Sequence, residues 1–202
     1  GGVYDQFVST QNSKVDGHTQ YIHVGSNAWF HEFGLGTHSD GSETTPHPPV
    51  SVTGGDYDGF YLTGTYNQDA KVKSDNAECY ISGGHFVEAA GASQEAIDGD
   101  VRWQIYDADI ENFFGGGINA AKPIKGNIRT DIYNSHVGIF CGGPKFGDMQ
   151  DGKEVITNAE GCTFTKFFGG GYGGTSYSRK KYYDAQSANW SPWLSKYTND
   201  RG

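Results

Sequence analysis

The chain has 202 residues, of which 31 are glycine and one is methionine; 14% are aromatic and 19% charged. Scarce helix formers beside plentiful glycine, threonine, serine, asparagine and aromatics exclude a helical protein. Six prolines with no three-residue glycine period exclude collagen, and the supply of large aromatics excludes disorder. A net charge of −9 argues against nucleic acid as a partner, and without a run of 18 apolar residues no membrane insertion by this segment is expected.

Gly1-Gly2-Val3 opens the chain abruptly, as expected where a leader has been removed or where the chain is a piece of something larger. Gln20 to Val24 alternates like a strand. His31 to Pro49 is rich in glycine, histidine and proline and reads as a loop. Within it stand His31, His38, Asp40 and His47, a set that suits zinc or another transition metal. Their spacing matches no metal motif, so a solvated loop is the competing reading. Residues 1–54 are expected to form an N-terminal cap or loop region.

From about residue 55 the sequence repeats. Gly115-Gly116-Gly117, Gly142-Gly143 and Gly169-Gly170-Gly171 recur 27 residues apart. Val101, Ile128 and Val155 keep that register, as do Ile110, Val137 and Phe164. So do Phe113, Phe140 and Phe167, and Phe114, Cys141 and Phe168. A shift of 24 residues places Ile81, Phe86 and Gly91 under Ile105, Ile110 and Gly115, and Leu62 under Phe86 marks a weaker fifth copy. The period predicts an all-β, single-stranded right-handed parallel β-helix: a solenoid of four to five coils of 24–27 residues over residues 55–175. Each strand would pair with its equivalent about 4.8 Å away, stacking like side chains on like. Glycines would mark corners that need positive φ or close backbone approach. A leucine-rich horseshoe lacks its LxxLxLxxN pattern and a propeller needs a longer period; a β-sandwich is the main structural rival.

His85, Asp109, His136 and Thr163 each precede an apolar column by one residue, so alternation turns them outward. Two imidazoles flanking a carboxylate suit a divalent metal; a solvated polar ladder is the plainer alternative. Asp107, Asp109 and Glu111 alternate along one expected strand, with neighbours about 6.5–7 Å apart by strand rise. That spacing suits inverting glycoside hydrolysis or calcium as a cofactor. A general acid also needs burial to raise its pKa, so an exposed acidic strand competes. Arg102 and Arg129 stack one coil apart and are the basic residues available to complete such a site. Cys79, Cys141 and Cys162 form no CxxC; Cys141 and Cys162 are expected inside as inert thiols. Residues 176–202 form a C-terminal flank or cap, in which Trp190 and Trp193, with nearby tyrosines, either stack on sugar rings as ligand-binding residues or cover the last coil.

The stretch Ile22-His23-Val24-Gly25-Ser26-Asn27-Ala28-Trp29-Phe30-His31-Glu32-Phe33 resembles the large glycine-rich repeat proteins of the cell surface of gut Bacteroidales. The similarity extends over Pro46-His47-Pro48-Pro49-Val50, Gly115-Gly116-Gly117-Ile118-Asn119-Ala120-Ala121-Lys122-Pro123-Ile124 and Cys141-Gly142-Gly143-Pro144-Lys145-Phe146. In architecture that family is similar to the pectin-lyase-like β-helices. The resemblance implies an extracellular or cell-surface location and a β-helix, but no particular chemistry. The first functional expectation is a non-catalytic module, a stalk or adhesin-like segment that binds a glycan or a host surface protein. A polysaccharide lyase or glycoside hydrolase is the alternative, resting on fold analogy, and a self-assembling fibre component is the second alternative.

Overall fold

The computed structural model describes residues 2–10, 22–25, 28–36, 44–45, 50–63, 73–74, 76–93, 96–118, 124–146 and 149–172. All of them fall in the unit Gly1–Tyr172. Their regular structure is entirely strand. The strands are β1 (Gly2–Thr10), β2 (Ile22–Val24), β3 (Ala28–Gly36), β4 (Thr44–Thr45), β5 (Val50–Val52) and β6 (Asp56–Thr63). Next come β7 (Lys73–Ser74), β8 (Ala77–Ser82), β9 (His85–Ala92), β10 (Ala96–Ile97) and β11 (Val101–Tyr106). The last are β12 (Asp109–Gly117), β13 (Ile128–Tyr133), β14 (His136–Cys141), β15 (Val155–Glu160) and β16 (Thr163–Phe168).

Every pairing between them is parallel and joins equivalent strands of successive coils, so the chain is a β-solenoid. The first sheet runs β1-β3-β6-β9-β12-β14-β16, the second β2-β5-β8-β11-β13-β15, and a short third ladder β4-β7-β10. Four coils, from β8–β9 to β15–β16, carry the expected 24- and 27-residue steps: Ile105 pairs with Ile81 and Ile132, and Ile110 with Phe86 and Val137. The ladders also reach upstream of residue 55, where the coils were expected to begin. Phe30 pairs with Tyr57, and Tyr57 with Phe86. These early copies carry Leu62 where the later ones have glycine, and one step widens to 29 residues, so the repeat fades from the sequence while the pairing persists.

Burial follows the ladder. In β11, Val101, Trp103 and Ile105 point in while Arg102 stays out, the period-2 alternation of a half-buried strand. Inside the first sheet, Phe33 stacks on Phe60 with ring centroids 4.9 Å apart, and Phe113 on Phe140 at 5.1 Å. Ala89 interrupts this column between Phe60 and Phe113. Trp103, from the second sheet, occupies the space: its ring lies 6.3 Å from Phe60 and 5.1 Å from Phe113. Its indole N–H donates to the Gly115 carbonyl at 3.0 Å, so the buried donor is satisfied. In β16 the columns continue, with Phe164 half-buried and Phe167 50% exposed.

Two corner devices hold the coils in register. Between the second and first sheets, Gly54, Gly83, Asp107, Asn134 and Gly161 all adopt positive φ, from 49° to 93°. Glycine, aspartate and asparagine are the residues that enter this left-handed region most readily. At the start of the second-sheet strands, side chains bond to the next coil's backbone. Asn76 Oδ1 accepts the Asp100 N–H at 2.7 Å, Asp100 Oδ1 the Asn127 N–H at 2.7 Å, and Asn127 Oδ1 the Glu154 N–H at 3.1 Å. The recurring glycine slot of Gly91, Gly115 and Gly142 works through close approach instead of positive φ. A Cβ at Gly91 would sit 2.7 Å from the Gly115 oxygen, and one at Gly142 2.6 Å from the Gly169 oxygen.

Candidate functional site

The outward side chains of the first sheet form the polar ladder expected from the sequence. His85 pairs with Asp109, Asp109 with His136, and His136 with Thr163, and Asp56 precedes them beside His85. The histidine nitrogens face other partners than Asp109. His85 Nδ1 lies 3.7 Å from Asp56 and its Nε2 3.7 Å from Glu111. His136 Nδ1 and Thr163 Oγ1 are 2.7 Å apart. Among the described residues, no three histidine, cysteine or carboxylate side chains gather closely enough to hold a metal ion.

The remaining candidates are placed differently from the expectation. Asp107 does not share a strand with Asp109 and Glu111; it is the left-handed corner residue at φ 53°, between β11 and β12. Strand alternation along the sequence hid this, because the corner interrupts the strand. His31 is part of β3, not of a loop, and its Nδ1 meets Asp58 at 2.9 Å. His38, Asp40, His47, Trp190 and Trp193 lie outside the described residues. Arg102 and Arg129 do pair one coil apart, but on the second sheet, whereas Asp109 and Glu111 belong to the first.

On that second sheet the arginines have their own acids. Arg129 donates to both oxygens of Asp131, from Nε at 2.9 Å and from Nη2 at 3.1 Å. Asn158, one coil on, donates to Asp131 Oδ1 at 2.6 Å. These donors hold Asp131 below its ordinary carboxylate range, the Arg129 fork most of all, with its side chain only 9% exposed. Arg102 meets Glu78 at 3.9 Å, a looser pair between exposed side chains. Beside them runs a tyrosine series that the sequence reading missed: Tyr80 and Tyr106 lie 5.5 Å apart and Tyr106 stacks on Tyr133 at 5.0 Å. Tyr80 is 41% exposed. The 27-residue step from Tyr106 to Tyr133 was the available signal.

Two of the thiols are held protonated by their surroundings. Burial pushes Cys79 well above its ordinary range and Cys141 up to about 12. Cys141 is buried, but away from the main core: it packs with Tyr61, Ala90, Phe114 and Ile118 in a separate cluster. Its column faces outward from the first sheet, correcting the expectation that it lines the solenoid interior. Cys162 is partly buried and packs against the main core.

These features define a parallel β-solenoid with two differently decorated outer faces. Compared with known proteins, the chain matches no family model, no curated protein and no solved structure.

Proposed function

We propose that the chain is a non-catalytic extracellular module of a larger bacterial surface protein, a stalk or adhesin-like segment that binds a glycan or a host surface protein. The observation that carries this reading is where the candidate groups stand. The carboxylates Asp109 and Glu111 are on one sheet, while Arg102 and Arg129 are on another and are engaged there by Glu78 and Asp131, so the arginines do not complete a site with Asp109 and Glu111. A continuous ladder makes a stiff support. The tyrosine series with Arg102, Gln104 and Asn158 offers flat apolar and hydrogen-bonding surface of the kind that sugars stack on.

A glycan array, with reducing-end release measured in parallel, tests the reading. Binding without product release, lost in Tyr80→Ala and kept in Asp109→Ala, is the expected result. Release of reducing ends by the wild type but not by Asp109→Ala would replace it with the enzymatic alternative. Addition of calcium during thermal melting tests the carboxylate face separately: a rise in Tm would assign a cation site there.

A further inference from the structure

The separate cluster behind the first sheet has a fastening of its own. Tyr61 on β6, Ala90 on β9, Phe114 on β12 and Cys141 on β14 occupy one outward column, yet each is at most 3% exposed. Across this column reaches Lys145, whose ammonium sits 2.7 Å from Glu88 Oε2 on β9 and 4.8 Å from the centre of the Phe114 ring. The Tyr61 hydroxyl donates to the other Glu88 oxygen at 3.0 Å. One side chain that follows β14 is thereby tied to a carboxylate on β9, with the β12 aromatic held beneath it. The ion pair is largely shielded from solvent, so it is screened less than the exposed pairs of the outer ladder.

We infer that Lys145 and the turn that carries it lift off this column while the strands stay paired, with the Lys145–Glu88 clasp as the latch, and that the open form exposes Tyr61, Phe114 and Cys141. Two observations carry the inference. The cluster faces away from the main core on the same strands, so uncovering it leaves the stacked aromatic columns intact. It is also small, and compact sub-units with few buried contacts open at lower free energy than the whole fold.

The three free cysteines supply the test. Cys79 is in the main core and reports global unfolding, Cys141 reports the cluster, and Cys162 is only partly buried. Labelling with N-ethylmaleimide, resolved by site with mass spectrometry, compares the full-length wild type with Lys145→Met and Glu88→Gln. Cys141 is expected to label faster than Cys79 in the wild type, and about tenfold faster again in both variants, with the Cys79 rate unchanged. The Lys145 charge lowers the Cys141 pKa, so its removal by itself would slow the thiol's intrinsic reaction. Acceleration in Lys145→Met therefore reports opening. Labelling of Cys141 and Cys79 together at the global unfolding rate would overturn the inference, as would Cys141 rates in folded variants equal to the wild type. Should Lys145→Met lose its far-UV signal, Glu88→Gln, which keeps the Tyr61 contact, decides.

Discussion

The two outer faces use the same ladder and reach opposite results. On the first sheet, His85 meets Asp56 and Glu111 of the neighbouring coils at 3.7 Å, His31 meets Asp58 at 2.9 Å, and all of these side chains stay exposed. On the second, Asp131 is nearly buried and takes three hydrogen bonds. Both faces place a basic group next to a carboxylate, so register alone does not explain the difference. Arg129 and Asp131 stand two apart on one strand and project from the same face, and a guanidinium fork fits a carboxylate with both N–H groups. An imidazole between acids of different coils offers one nitrogen to each and holds neither at hydrogen-bond distance. A ladder brings charges within reach; only matched local geometry converts reach into a desolvated bond.

The largest expected effect removes the core beneath both faces. Trp103→Ala should cost about 3–5 kcal/mol in urea unfolding, because its ring spans the gap at Ala89 between Phe60 and Phe113. A loss under about 1 kcal/mol would mean that the facing sheets do not depend on each other's side-chain sizes. Next comes the comparison itself. Asp131→Asn should cost about 1.5–2 kcal/mol at pH 7, and Asp109→Asn less than about 0.5. The folded-state pKa of Asp131 is depressed below 3.8, so its stabilisation is complete above that value and is lost as pH falls through the lower, folded-state one. The wild-type advantage over Asp131→Asn should therefore shrink at pH 3, and an equal gap at pH 3 and pH 7 would contradict the ion-pair account.

Smaller effects sharpen the corner and the core. Asp107→Val should destabilise by about 1–2 kcal/mol because a β-branched residue resists positive φ, while Asp107→Gly should be neutral or slightly stabilising. Equal destabilisation by both would show that the Asp107 carboxylate, not its backbone, matters. Thr130→Val should raise stability by about 1 kcal/mol, read as a higher Tm, since the buried Thr130 hydroxyl has no hydrogen-bond partner among the described residues.

Much of the fold was legible because the solenoid writes its contacts into the sequence at fixed spacing. Ile110, Val137 and Phe164 do stack in one column, as their 27-residue steps imply. The outward ladder of His85, Asp109 and His136 followed from the same arithmetic. The early coils were harder to read: the step from β6 to β9 lengthens to 29 residues and Leu62 replaces the recurring glycine, although β3 and β6 pair just as fully. Asp107 was misplaced because alternation is counted along a strand, and the strand stops at Tyr106. The Arg129–Asp131 bond joins neighbours two apart on one strand, a contact that the 27-residue period does not mark.

The sequence by itself determined which residues share a slot from coil to coil, since a parallel ladder maps equal spacing onto vertical neighbours. What crosses between slots came from the folded chain: Trp103 filling the gap at Ala89 and the Lys145 clasp over Phe114 join residues of unequal spacing, through side-chain volume and reach, and no repeat records them. The corner that removes Asp107 from its acidic neighbours does recur from coil to coil, but its left-handed backbone is a property of the turn and not of the spacing.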